Sequence, residues 1–166
     1  MAGYGRTVKK RKTWREKLAD NKNLPKVFDN AQEGMSKRWG VGICVIPQPR
    51  DVDALMKRVP RGRLTTINEL RTALAQSYKV DMACPLTTGI FAWIAAHAAA
   101  EAQAAGLKRV TPYWRTLKTG GEINPKYPGG VLEQCRLLKA EGHRVERRGK
   151  RHLVADYEQR VVTPRG

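Results

Sequence analysis

The sequence lacks any pair of cysteines close enough to clasp a metal or frame a stapled fold. Cys44, Cys84 and Cys135 are odd in number and widely spaced, which argues against both a disulfide framework and a zinc site. Histidine is equally sparse, and His97, His143 and His152 show no metal-ligand spacing; neither a metal nor a cofactor is expected. Long apolar runs are missing as well. The most apolar stretch, residues 89–105, contains His97 and Glu101 and is too short for a membrane span, so no membrane partner is expected. The charged N-terminus is not followed by the apolar run of a secretory signal. A reducing, cytoplasmic setting is expected, beside the nucleoid in a bacterial cell. No internal repeat is visible.

Acidic residues are the other shortage: 15 Asp and Glu stand against 32 Lys and Arg, for a net charge of +17. A cationic surface of this size concentrates polyanions and steers them in. Nucleic acid is therefore the expected partner, with a merely soluble or ribosome-associated basic protein as the plainer alternative. With 166 residues, 41% of them hydrophobic, the chain can bury the core of one ordinary domain. A monomer is expected.

Residues 1–24 read as a basic N-terminal extension. Lys9, Lys10, Arg11 and Lys12 are suited to neutralising phosphates without reading sequence, or simply to solvation. The first dozen residues have almost nothing to bury and read as a mobile arm. Trp14, Leu18 and Leu24 would pin a short helix, starting at Thr13, to the body. Residues 25–50 read as a linking segment packed on the body. It comprises a short helix over 25–39, with Val27, Phe28, Ala31 and Met35 at helical spacing, and a buried strand over 40–47 closed by Pro47.

Residues 51–158 form the main unit, with 159–166 as a tail. A helix is expected over 51–58, ended by Pro60-Arg61-Gly62. Thr66-Ile67-Asn68-Glu69 is a capping-box pattern opening a helix to about Ser77. A polar connector, 78–81, leads to a second helix that starts within 85–88 and stops before Gly106. This order suggests a helix-turn-helix, although helical hairpins are common in other folds. The first turn of the second helix, with Thr87, Thr88 and its free N–H groups, is the part suited to phosphates or base edges. Lys118-Thr119-Gly120-Gly121 reads as a hairpin turn, and Pro128-Gly129-Gly130 as the start of a helix ended by Gly142. Residues 144–154 alternate around Arg148-Gly149-Lys150 as a basic β-hairpin. It presents Arg144, Arg147, Arg148, Lys150 and Arg151 to phosphates or to solvent.

Five of these pieces occur in an order similar to that of the 6-O-alkylguanine-DNA alkyltransferase DNA-binding domain, over residues 51–143. Val59-Pro60-Arg61-Gly62-Arg63-Leu64-Thr65-Thr66 resembles that family's Val-Pro-x-Gly-x-Val-x-Thr. The helix-turn-helix, Pro112 with Arg115, Tyr127 with Gly129-Gly130, and Leu137-Leu138 with Glu141-Gly142 follow. The resemblance implies an α/β, mostly helical, winged-helix-like fold carrying a helix-turn-helix and short β elements. It also implies double-stranded DNA as the partner. In the family a cysteine followed by a histidine, backed by a glutamate, accepts the alkyl group. Tyr113 and Trp114 stand at the first two positions here, while Glu141 keeps the third. A phenol without a base is a poor acceptor, so no enzyme is expected. The chain resembles the alkyltransferase-like variants, which bind lesions without repairing them, and a repair protein is the further partner that likeness implies.

Other positions depart from the pattern. Ile67 stands where the family has the tyrosine that rotates a phosphate during base flipping, and no arginine stands within 87–89, where its intercalating finger falls. Tyr113, Trp114, Tyr127 and Glu141 are the expected pocket residues, the first two either stacking on a base or filling the space as core. Phe91 and Trp93 are read as core. Two other functions stay open: a structural or RNA-associated protein on the same scaffold, and an enzyme using Cys84, which precedes Pro85 near a helix N-terminus.

Overall fold

The computed structural model describes residues 8–31 and 40–166. Its described part is α/β and mostly helical, with five α-helices and three small sheets. Helix α1, Trp14–Ala19, starts where the sequence places it. Thr13 caps it in a reciprocal capping box with Glu16, which meets two of the four otherwise unpaired N–H groups of a helix start.

The expected helix over 25–39 is corrected for its first part. Lys26–Asp29 is strand β1, and residues 32–39 lie outside the described residues. A four-residue apolar run does not distinguish helix from strand by periodicity, and here the partner decides. The apolar segment Ile43–Ile46, strand β2, takes β1 as its antiparallel neighbour, in register from Lys26↔Ile46 to Asp29↔Ile43. On its other edge β2 pairs in parallel with β4, Met82–Ala83. Strands β1 and β2 are thus tied to the body through β4, and Val45 at 0% exposure belongs to its core.

Helix α2, Pro49–Lys57, begins with Pro49, whose missing N–H costs nothing there, while Asp51 accepts the Gln48 N–H at 3.1 Å. Strand β3, Thr65–Thr66, runs into helix α3, Ile67–Tyr78. Thr66 is the N-cap, but not in the expected manner. Its hydroxyl donates to the Glu69 carboxylate and makes no bond to the helix backbone. Lys79, at φ +54, ends α3 in the left-handed region, and the connector carries β4 before helix α4, Pro85–Ala104.

At 20 residues, α4 is roughly 30 Å long. It is the axis of the molecule, packed by α1, α2 and α3, and its alanines let those neighbours approach closely. Ala92, Ala95 and Ala96 are all at 0% exposure.

After α4 the chain returns through residues 107–112 to a single 3₁₀ turn, Tyr113–Arg115, and strand β5, Thr116–Leu117, which pairs in parallel with β3. The 118–121 segment is the expected hairpin turn, closed by Gly121 N–H to Lys118 O at 3.1 Å and Lys118 N–H to Glu122 O at 2.8 Å, although among the described residues no two-stranded ladder extends beyond it. Glu122 bridges Leu153 instead. Gly121 sits at φ +82, where any side chain would strike the Tyr157 ring. Helix α5, Gly130–Ala140, ends in a Schellman motif: Gly142 donates to Lys139 O and His143 to Leu138 O.

Strands β6, Val145–Arg148, and β7, Arg151–Val154, form the expected hairpin around Gly149 and Lys150. A second core cluster of Leu64, Leu117, Ile123, Leu138 and Val154 lies under it. Trp114 packs against both clusters. The tail is tied down where Leu64 exchanges backbone bonds with Arg160 and Val162.

Candidate nucleic-acid interface

The segment that resembles an active site is closed. Tyr113 is 4% exposed and Tyr127 3%, their rings meeting edge to face at 6.1 Å. Burial raises the pKa of both phenols, with the Glu133 charge adding to the rise at Tyr113. The Tyr113 hydroxyl reaches Pro128 O at 3.4 Å. Trp114 stands edge-on to Tyr113 at 5.4 Å, and its indole N–H donates to Glu141 at 2.9 Å. Of the two readings of Tyr113 and Trp114, stacking on a base or filling the space as core, the burial of Tyr113 supports the second. A phenol is several atoms longer than a cysteine side chain, and here it fills the space as core.

Glu141 is the polar centre of this region. It accepts the Trp114 indole, both Nε and Nη2 of Arg115 at 2.7–3.0 Å, and the Gly62 N–H at 3.2 Å. Arg115 also donates to Val59 O at 2.8 Å. Burial alone would raise the Glu141 pKa. The hydrogen bonds from Arg115, Trp114 and Gly62, with the Arg115 charge, outweigh it and hold the carboxyl below its ordinary range. The cluster ties the 59–62 segment, the 3₁₀ turn and the end of α5 into one unit, which is work for a scaffold rather than for proton transfer.

Two of the nucleic-acid candidates are moved inward. Thr88 is at 0% exposure and donates to Cys84 O at 2.7 Å, while the Thr87 hydroxyl oxygen is buried. The start of α4 turns its threonines to the body and shows Leu86, 61% exposed, and Ile90 one turn on, 42% exposed, outward. These two form one side of a groove of about 710 Å³. Ile67 and Asn68 at the start of α3 and Trp93 on α4 continue it, and Lys118, Asn124 and Lys126 close it from the opposite loop.

The groove is apolar along its floor and cationic along its rim. Arg71 is held there by Nε to Ala83 O at 2.9 Å. The loop wall is pinned at Lys126 O, which the Trp93 indole N–H reaches at 3.1 Å and His97 Nε2 at 3.0 Å. Trp93 is thus part core and part groove, whereas Phe91, at 4% exposure, is core.

The basic hairpin continues this rim. Lys118 and Arg151 share the Glu122 carboxylate at 3.7 and 3.1 Å, linking the groove's loop to β7. Arg144 and Arg148 lie near Glu146 at 3.5 and 3.6 Å. Arg147 and Lys150 are exposed and have no carboxylate partner among the described residues. At the other end of the groove, Trp14 packs edge to face on Trp93 at 4.7 Å and stacks on His97 at 4.5 Å. Lys9, Lys10, Arg11 and Lys12, which precede Trp14, are exposed. Lys12 is paired with Asp20 at 2.7 Å.

Cys84 is 3% exposed at the N-cap of α4, so its thiol is not open to a substrate. Its neighbour Cys44 is fully buried, and burial, with the nearby Cys84, pushes that thiol up to about 11. Among the described residues no three His, Cys, Asp or Glu side chains gather as a metal set. No described helix is long and apolar enough to cross a membrane.

Sequence reasoning missed Leu86, Ile90, Arg71, Lys118 and Lys126. Leu86 and Ile90 are one helical turn apart, which is a usable signal. However, α4 is apolar on every side, and no stripe marks which side faces out.

Comparisons with known proteins add little. No protein-family model matches the chain, and no curated protein does. A solved structure to which the chain is similar is that of S. pombe Atl1 in complex with damaged DNA containing O6-carboxymethylguanine. The two are 15% identical, the match covers 70% of this chain and 94% of that one, and the TM-score is 0.48.

Proposed function

We propose that the chain is a non-enzymatic DNA-binding protein of the alkyltransferase-like type. The observation that carries this reading is the apolar groove with exposed Leu86 and Ile90, rimmed by Arg71, Lys118 and Lys126 and continued by the basic hairpin. A ligand matching it has flat apolar parts and a polyanionic edge, as a nucleic acid does where its bases are accessible. The lysines and arginines hold the backbone, and the apolar floor meets base or sugar. The order of motifs over residues 51–143 supports duplex DNA as the class. With Tyr113 packed as core, alkyl transfer at that position has no accessible acceptor. A distorted or alkylated base is received in the groove beside Ile90 and Trp93 instead, and a repair protein acts after binding.

Titrating the protein with plain duplex, 6-O-methylguanine duplex, single strands and structured RNA over a salt series tests this. Expected are salt-dependent binding to duplex and a preference for the lesion. Equal affinity for both duplexes removes lesion reading, absence of salt-dependent binding removes the DNA role, and preference for RNA moves the protein to the RNA-associated class.

A further inference from the structure

Helix α4 has a second groove that the nucleic-acid reading does not use. At 3.6 residues per turn, positions 95, 99 and 102 fall on the face opposite 86, 90 and 93. There α1, α2 and the segment after α4 line an open cleft of about 440 Å³. Its floor is apolar: Ala98 and Ala102 from α4, Leu18 from α1, and Leu107, which is 44% exposed. Four cations stand around it, Arg15, Arg50, Lys57 and Arg109, contributed by α1, α2 and the segment after α4, and each is exposed. The cleft's one acid, Asp53, is already satisfied by the Thr111 hydroxyl at 2.6 Å and Lys57 at 2.9 Å. No carboxylate among the described residues pairs with Arg15, Arg50 or Arg109.

We propose that this cleft docks an acidic segment of a partner protein, anchored by an apolar side chain on the alanine floor. Charge complementarity selects the acid. The floor is aliphatic and carries no aromatic side chain on which a base could stack, unlike the first groove with its Trp93, so it suits an apolar side chain of a peptide rather than a nucleobase. A second copy of this chain is disfavoured by its own charge of +17. The site shares no residue with the first groove, so both can be filled at once.

The test uses the full chain and three fluorescein-labelled probes: a peptide alternating Glu and Leu, the same peptide with Gln for Glu, and a duplex DNA. The acidic peptide is expected to bind at least ~10-fold tighter than its Gln counterpart and to lose ~10-fold or more in Arg50→Glu/Arg109→Glu. Ala54→Trp fills the mouth of the cleft from an exposed position without changing charge. It is expected to abolish peptide binding while duplex affinity stays unchanged, and peptide and duplex are expected to form a ternary complex. Equal binding of both peptides, no binding of the acidic one, or mutual exclusion of peptide and duplex overturns the proposal. If Ala54→Trp weakens the duplex and spares the peptide, the cleft belongs to nucleic acid instead. Loss of duplex binding in the unmodified chain, with peptide binding intact, overturns only the DNA reading.

Discussion

Trp114 donates its indole N–H to Glu141 at 2.9 Å. A side chain from the 3₁₀ turn is thus tied to the carboxylate that follows α5. Arg115 shares that carboxylate, with its side chain only 14% exposed and that of Glu141 5%. Glu141→Ala leaves the guanidinium buried without its counter-charge and is expected to cost about 3–5 kcal/mol of stability. A denaturant midpoint unchanged within error would show that the cluster is not holding the three segments together.

The same carboxylate sets an acid limb. Its folded pKa is depressed, so its contribution is complete above its ordinary value of 4.5 and is lost as pH falls through the folded value. Glu141→Gln is expected to flatten stability against pH below about 4.5. His143 gives a second limb. Burial lowers its pKa from 6.5, with Glu141 opposing and Arg160 and Arg115 assisting, and its Nε2 is buried without a partner. Above 6.5 both states are neutral. Below it the unfolded chain takes up a proton that the folded one refuses, so stability drops as pH falls toward the folded value. Thermal melts of His143→Gln should lose this slope while keeping the Glu141 limb.

Tyr113 is packing, and its substitutions should behave so. Its long hydroxyl bond makes Tyr113→Phe nearly neutral, under about 1 kcal/mol, whereas Tyr113→Ala opens a cavity at a cost of about 3–5 kcal/mol. Tyr113→Cys introduces a thiol, but a buried one with no base, and should take no label from 6-O-methylguanine duplex. Transfer of label to that variant would show the site to be open.

The groove can be tested one charge at a time. Alanine at Arg71, Lys118 or Lys126 should reduce the slope of log affinity against log salt by about 0.9 for each phosphate no longer neutralised. Leu86→Ala with Ile90→Ala should weaken duplex binding at unchanged slope, because neither carries charge. A slope unaffected by all three cation changes would move the interface elsewhere.

Arg147→Ala/Lys150→Ala tests the hairpin. Both side chains are exposed, so stability should stay within about 0.5 kcal/mol while the slope falls by about 2. Unaltered duplex binding would leave the hairpin as a solvated face.

Much of the main unit can be read from residues with a single conformational use. Pro85 opens a helix, Gly142 closes one, and Gly149 turns the hairpin. Where local pattern is ambiguous, long-range pairing decides. Val27 and Phe28 become strand because Ile43–Ile46 requires a neighbour, and no short window of sequence contains that partner. The interface is legible in charge but not in place. An alanine-rich helix that is apolar all round does not reveal which side is left uncovered, so its sequence points to Thr87 and Thr88 and passes over Leu86 and Ile90. The closing of the Tyr113 region is one of two readings, and only the packing of Tyr127 and Trp114 around it separates them.

Trp93 lines the groove while touching Trp14 and His97 and holding the Lys126 carbonyl. Any molecule that seats against Leu86 and Ile90 changes what this indole touches, and so its emission. The chain therefore carries an optical reporter at the groove, and occupancy can be followed without attaching a dye to the protein.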